Sequence, residues 1–96
     1  MKYIARINWI RPENNGRKQS IPFDTEMYAP QIKYEGLVGN WSLVVNNFKK
    51  IDDYTTLAKI RFLNAEKAPK KLAIGLDFLL YEGSQKVAFG EVIEFS

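Results

Sequence analysis

Two alternating arms around a glycine turn, Ile74–Tyr81 and Val87–Phe95 flanking Glu82-Gly83-Ser84-Gln85, restrict this chain more than any other stretch. Residues two apart on an extended backbone share a face. In the first arm Ile74, Leu76, Phe78 and Leu80 alternate with Gly75, Asp77, Leu79 and Tyr81. In the second, Val87, Phe89, Glu91, Ile93 and Phe95 alternate with Lys86, Ala88, Gly90, Val92 and Glu94. The stretch predicts a β-hairpin. Both arms are apolar on more than one face, the pattern of a sheet covered on both sides or closed into a barrel.

The rest of the chain keeps the same period. Lys2–Ile10 alternates with Tyr3, Ala5, Ile7 and Trp9 on one face and reads as a half-buried strand. Pro12-Glu13-Asn14-Asn15-Gly16 breaks it with turn chemistry, since Asn15 and Gly16 tolerate positive φ, and leads into a loop tipped by Arg17 and Lys18. Ile21-Pro22-Phe23 belongs at an edge, a bulge or a strand start, because proline offers no ladder donor. After Pro30, alternation resumes over Gln31–Tyr34, and Gly36, Gly39 and Asn40 mark a second loop. Trp41–Val45 is a β-branched strand that Asn46-Asn47 should close, leaving Phe48–Tyr54 as a charged loop. Thr55–Leu63 alternates with Ala58, Ile60 and Phe62 on one face. Asn64–Lys71 holds helix formers, but Pro69 and its short length predict a long crossover loop. Roughly five to seven strands and no helix predict one all-β domain over residues 1–96, a small barrel or a sandwich.

The absence of both cysteine and histidine narrows the chemistry. Thiol catalysis, disulfides, cysteine-held metals and the imidazole base of hydrolase triads are excluded, which leaves only carboxylate or lysine chemistry for an enzyme. Asp52-Asp53, with Glu66 and Asp77 farther off, is the nearest approach to an acid-base or metal-binding set. Adjacent carboxylates on a strand point to opposite faces, and on a loop they serve turn formation, so no catalytic residue, metal site or cofactor is predicted. No GxxxxGK[ST] or GxGxxG phosphate loop is present, hence no nucleotide site of its own. Met1–Arg6 gains charge too early for a secretory segment, and no apolar run nears the roughly 18 residues of a membrane span. The expectation is a cytoplasmic protein without a membrane partner.

Net charge is +3 and the isoelectric point is near 9.2, a mild bias toward polyanions. The basic residues fall mostly in predicted loops: Arg11, Arg17 and Lys18, then Lys49 and Lys50, then Lys67, Lys70 and Lys71, with Lys86 beside the hairpin turn. Convergence of those loops at one end of a barrel would build a surface that tracks phosphates; placed apart, they are ordinary solvated lysines. Tyr28, Tyr34, Trp41 and Tyr54 are the candidate stacking faces, with Trp9 and Trp41 better suited to the core.

Three stretches in series resemble the third domain of elongation factor Tu, the C-terminal barrel of that translation GTPase. The first runs from Ala5-Arg6-Ile7 through Asn15-Gly16-Arg17-Lys18 to Ile21-Pro22-Phe23; the second is Tyr28-Ala29-Pro30-Gln31-Ile32; the third is the hairpin Phe78–Val92. The resemblance implies a small closed antiparallel six-stranded β-barrel of the elongation factor Tu C-terminal-domain type. It also implies a domain without chemistry, one that packs on a GTPase domain, touches the backbone of the tRNA T-arm and offers surface to protein partners. The family's pattern carries over onto Gly16, Arg17, Pro30, Gln31, Glu82, Gly83 and Gly90, of which Arg17 and Gln31 look available for contact. The chain departs from it at Ala29, Tyr81 and Gln85, where the family has arginines, and at Asn15, where it has glycine. The expected function is a stand-alone, non-catalytic module binding tRNA or other RNA through Arg17, Lys18, Gln31, Lys49, Lys50, Lys70, Lys71 and Lys86. The alternative is a module that mimics the elongation factor domain and binds one of its protein partners in the translation machinery.

Overall fold

A computed structural model describes residues 3–23, 27–68 and 72–95. Six strands, β1 (Tyr3–Trp9), β2 (Gln31–Lys33), β3 (Trp41–Asp52), β4 (Thr55–Phe62), β5 (Asp77–Glu82) and β6 (Gln85–Phe95), form a closed barrel in the order β1-β4-β3-β2-β5-β6. Every neighbouring pair is antiparallel, and β6 returns to β1 to close the ring. Closure removes the free edges that an open sheet presents. No helix among the described residues is long and apolar enough to cross a membrane.

The interior follows from the period-two pattern. Ala5, Ile7 and Trp9 of β1, Ala58, Ile60 and Phe62 of β4, Leu43 and Val45 of β3, Ile32 of β2, Phe78 and Leu80 of β5, and Val87, Ala88 and Val92 of β6 are all buried. On β6 the interior run is Ala88, Gly90 and Val92, while Phe89 turns outward and is 50 % exposed. The second apolar face of that arm therefore lies on the outside of the barrel. Gly90 lies inside because a Cβ there would sit 2.6 Å from Cζ of Phe78 and 3.0 Å from the carbonyl of Arg6. The aromatic ring occupies the space that glycine vacates.

The hairpin turn matches its prediction. Gly83 has φ +62° and Ser84 stays out of the left-handed region, the pattern of a type II′ turn, which follows the twist of the flanking strands. The first arm is shorter than its alternation suggests: Ala73–Leu76 is a turn with Gly75 at φ +92°, Ile74 is exposed, and β5 starts at Asp77.

The main departure lies in β3. Asn46-Asn47 does not end the strand, which continues through the expected loop to Asp52 against β4. Register breaks between Asn47 and Lys49 and between Lys50 and Asp52 insert bulges, which erase the alternation that would have marked the strand. Ile21-Pro22-Phe23 is half-buried coil rather than strand. Tyr28 and Pro30 accept from the N–H groups of Val45 and Leu43, so the β2–β3 pairing begins before the regular strand does.

Candidate nucleic-acid interface

Alternating strand directions sort the connections between two ends. The β1–β2 segment, the β3–β4 turn and the β5–β6 turn share one end; the β2–β3 loop and the β4–β5 connection belong to the other. The first loop, the central turn and the hairpin thus share an end, the placement on which a common basic surface is conditional. Lys67 belongs to the opposite end, and Lys70 and Lys71 lie outside the described residues.

At the first of these ends is a cleft of about 570 Å³ lined by Arg17 and Lys18, by Lys50 and Asp53, and by Trp9, Phe23 and Tyr54. A smaller hollow, about 410 Å³, continues from Arg17 and Lys18 to Glu82 and Gln85, one residue before Lys86. Lys18, Lys49, Lys50 and Lys86 are exposed. Lys50 lies 3.5 Å from Asp53, but both side chains are well solvated, and an exposed pair of that kind contributes only about 0–1 kcal/mol. Its ammonium remains open to a stronger anion. Arg11 covers the Tyr54 ring with its guanidinium 4.5 Å from the ring centre.

Arg17 has a different role from the one its sequence position suggests. Only 13 % of its side chain is exposed, and its Nε donates to Glu82 at 2.7 Å. Its Nη1 donates to the Ser20 carbonyl, and the guanidinium lies 5.3 Å from the Tyr28 ring centre. Tyr28 donates its hydroxyl to the same Glu82 oxygen at 2.5 Å. Burial first, and then the adjacent carboxylate, push the Tyr28 hydroxyl well above its ordinary value. Gln85 donates to the carbonyls of Asn15 and Gly16 at 2.9 and 2.8 Å. Arg17 and Gln85 therefore fasten the first loop to the hairpin, and Arg17 is a positioning residue rather than a free contact. Gln31, half-buried on β2, stands opposite Tyr81, which in turn stands opposite Lys86. Those three form a row on the barrel surface beside the small hollow.

Asp52 accepts the Tyr54 N–H at 2.9 Å; that bond, followed by one from the Thr55 side chain, holds its carboxyl below the ordinary value. The carboxylate fixes the β3–β4 turn. Among the described residues no group of three or more acidic side chains is placed to hold a metal ion.

A buried polar chain under the cleft has no signature in the sequence. Trp9 Nε1 donates to Thr56 Oγ1 at 2.9 Å, Thr56 donates to Asn47 Oδ1 at 2.7 Å, and Asn47 Nδ2 donates to the Pro22 carbonyl at 2.8 Å. The chain joins β1, β4 and β3 to the coil that borders the cleft, so the cleft wall stands on two buried hydrogen bonds and a third, part-buried one to Pro22. Asn-Asn resembles a strand terminator, and only the three-dimensional pairing shows Asn47 facing inward. Comparison with models of known protein families finds no match to this chain, and comparison with curated protein sequences finds none either.

Proposed function

We propose that this chain is a non-catalytic RNA-binding module whose contact surface is the cleft end of the barrel. The observation that carries the reading is the meeting of Lys18 and Lys50 with Trp9, Phe23 and Tyr54 in one hollow, with Lys86 close by on the hairpin. Ammonium groups on one loop and on the neighbouring strand ends, set around aromatic edges, suit a phosphate backbone with exposed bases. Lys18, Lys49, Lys50 and Lys86 supply the charge, Tyr54 an aromatic edge beneath the Arg11 guanidinium, and Gln31 a polar group beside Tyr81. Arg17 holds the loop that presents Lys18. The resemblance to a translation-factor barrel favours RNA over DNA.

The test is binding of labelled tRNA at low and at physiological salt. Three to four phosphate contacts predict a log–log salt slope of about −2 to −3. Lys18→Ala and Lys50→Ala should each weaken binding and reduce the slope by about 1. Salt-insensitive binding, or slopes unchanged in both variants, would refute the proposal. No binding even at low salt would favour the alternative, a protein partner.

A further inference from the structure

A second hollow, about 830 Å³, lies on the barrel flank between the outer face of β5 and β6 and the Tyr34–Asn40 loop. Its floor is the cross-strand pair Leu79 and Phe89, and Tyr34 and Leu37 form the wall. Phe89 is 50 % exposed, more than a half-buried sheet face requires. Val38, between the lining residues Leu37 and Gly39, is 81 % exposed. Aromatic side chains carry most of the energy where such surfaces meet a partner.

The charge around this floor runs against the net charge of the chain. The charged lining residues are Lys33, Glu35 and Asp77. Lys33 places its Nζ 4.5 Å from the centre of the Tyr81 ring, toward the other end of β5. Glu35 and Asp77 lie two residues beyond the paired Lys33 and Leu79, on the same side of that pair, and both are exposed. Neither forms an ion pair among the described residues, and the nearby Glu91 is already taken by Arg6 at 2.8 Å. An acidic rim thus adjoins one end of an apolar floor on a chain of net charge +3.

We infer that this groove docks a segment of another protein that presents an aromatic or branched aliphatic anchor next to Arg or Lys. The anchor lies on Leu79 and Phe89; the basic residue meets Glu35 and Asp77. The volume falls within the ~300–1,000 Å³ of ligand sites, but the exposed rim leaves the groove without the enclosure a small molecule needs. The two carboxylates repel a nucleic acid, so this site is separate from the RNA-facing cleft and does not depend on it.

The test uses ¹⁵N-labelled protein and three synthetic peptides: Gly-Arg-Lys-Phe-Leu-Gly-Ser, its counterpart with Glu-Asp in place of Arg-Lys, and its counterpart with Gly-Gly in place of Phe-Leu. The first peptide should shift amide signals of residues 33–40, 77–79 and 89–90, and both counterparts should bind more weakly. Phe89→Ser should weaken binding about tenfold or more. Asp77→Asn, at an exposed position that leaves the core intact, should weaken it about two- to fivefold. Thermal melts of both variants establish that the barrel is retained. Equal response to the acidic peptide, shifts centred on residues 17–20 and 49–54, indifference to Phe89→Ser in a folded variant, or no shifts at millimolar peptide would each overturn the inference.

Discussion

Thr56→Val tests whether the buried polar chain holds the cleft end together. Valine keeps the shape of threonine but removes the hydroxyl that accepts from Trp9 at 2.9 Å and donates to Asn47 at 2.7 Å. Thr56 is 0 % exposed, Asn47 1 % and Trp9 4 %, so water cannot replace the lost partner. Two buried groups, the indole N–H and the Asn47 side-chain oxygen, are orphaned at about 1–3 kcal/mol each, which places the loss at about 2–6 kcal/mol. Set against a total stability of about 5–15 kcal/mol, that is a large fraction. At about 4–8 °C per kcal/mol, Tm should fall by at least about 8 °C. Urea unfolding followed by tryptophan fluorescence gives the free energy directly. Asn47→Ala loses the Thr56–Asn47 bond as well, so Thr56→Val/Asn47→Ala should cost less than the two single variants added together, by about 1 kcal/mol. A loss below about 0.5 kcal/mol in Thr56→Val, or additivity within about 0.3 kcal/mol, would refute the reasoning.

Gly90→Ala forces a Cβ to 2.6 Å from the Phe78 ring and should cost about 1–3 kcal/mol by denaturant unfolding. Gly16→Ala should cost more than Gly90→Ala in the same assay, because its Cβ would lie 1.8 Å from the Ile10 carbonyl oxygen, a backbone atom that cannot swing aside. Arg17→Ala should lower stability by about 1.5–3 kcal/mol through loss of its bonds to Glu82 and Ser20. It should leave the RNA salt slope closer to wild type than Lys18→Ala does, and the two readouts together separate positioning from contact. The Tyr28 hydroxyl titrates above its ordinary value of 10.0 in the folded chain, so above that pH the unfolded state has lost a proton that the folded state keeps. Stability is therefore full below about pH 10 and falls as pH rises beyond it; Tyr28→Phe should flatten that alkaline decline, as followed by unfolding at stepped pH.

The strands that obey strict alternation were legible in the sequence, and those that break it were not. β1 and β4 put Ala5, Ile7 and Trp9, and Ala58, Ile60 and Phe62, on the faces that the period assigns them. β3 resisted because two bulges shift the period within its last six residues, where Phe48, Lys49, Lys50 and Ile51 all face solvent. Pattern reading depends on one buried face, and this ribbon has none. The grouping of Arg17, Lys18 and Lys50 in one cleft was foreseeable only as a condition, since sequence gives loop membership but not which loops share an end. Arg17 is hidden for a related reason: an arginine in a polar turn loop reads as solvated until Glu82, 65 residues later, is placed beside it.

The positions at which the sequence was compared with the translation-factor pattern are largely positions that touch one another. Arg17 pairs with Glu82, Gly16 admits the close approach of the Ile10 carbonyl, Gly83 turns the hairpin and Gly90 seats Phe78. Gln85, where the chain departs from the pattern, still reaches back to the carbonyls of Asn15 and Gly16. Such residues are fixed by closing a small barrel around a tight turn and a returning loop, whatever the barrel binds. Function is then set by the side chains that these contacts leave outward, and a shared scaffold does not dictate them. The exposed candidates for that role, under the two proposals made above, are Lys18, Lys50 and Lys86 at the cleft end and Phe89, Glu35 and Asp77 on the flank. Exchanging Lys18 and Lys50 for glutamate should therefore abolish RNA binding while changing Tm by no more than about 4–8 °C, since exposed substitutions away from structural contacts typically stay within about 0.5 kcal/mol each. A Tm loss on the scale of the Thr56→Val variant would mean that the same lysines hold the barrel together, and the division between scaffold and surface would fail.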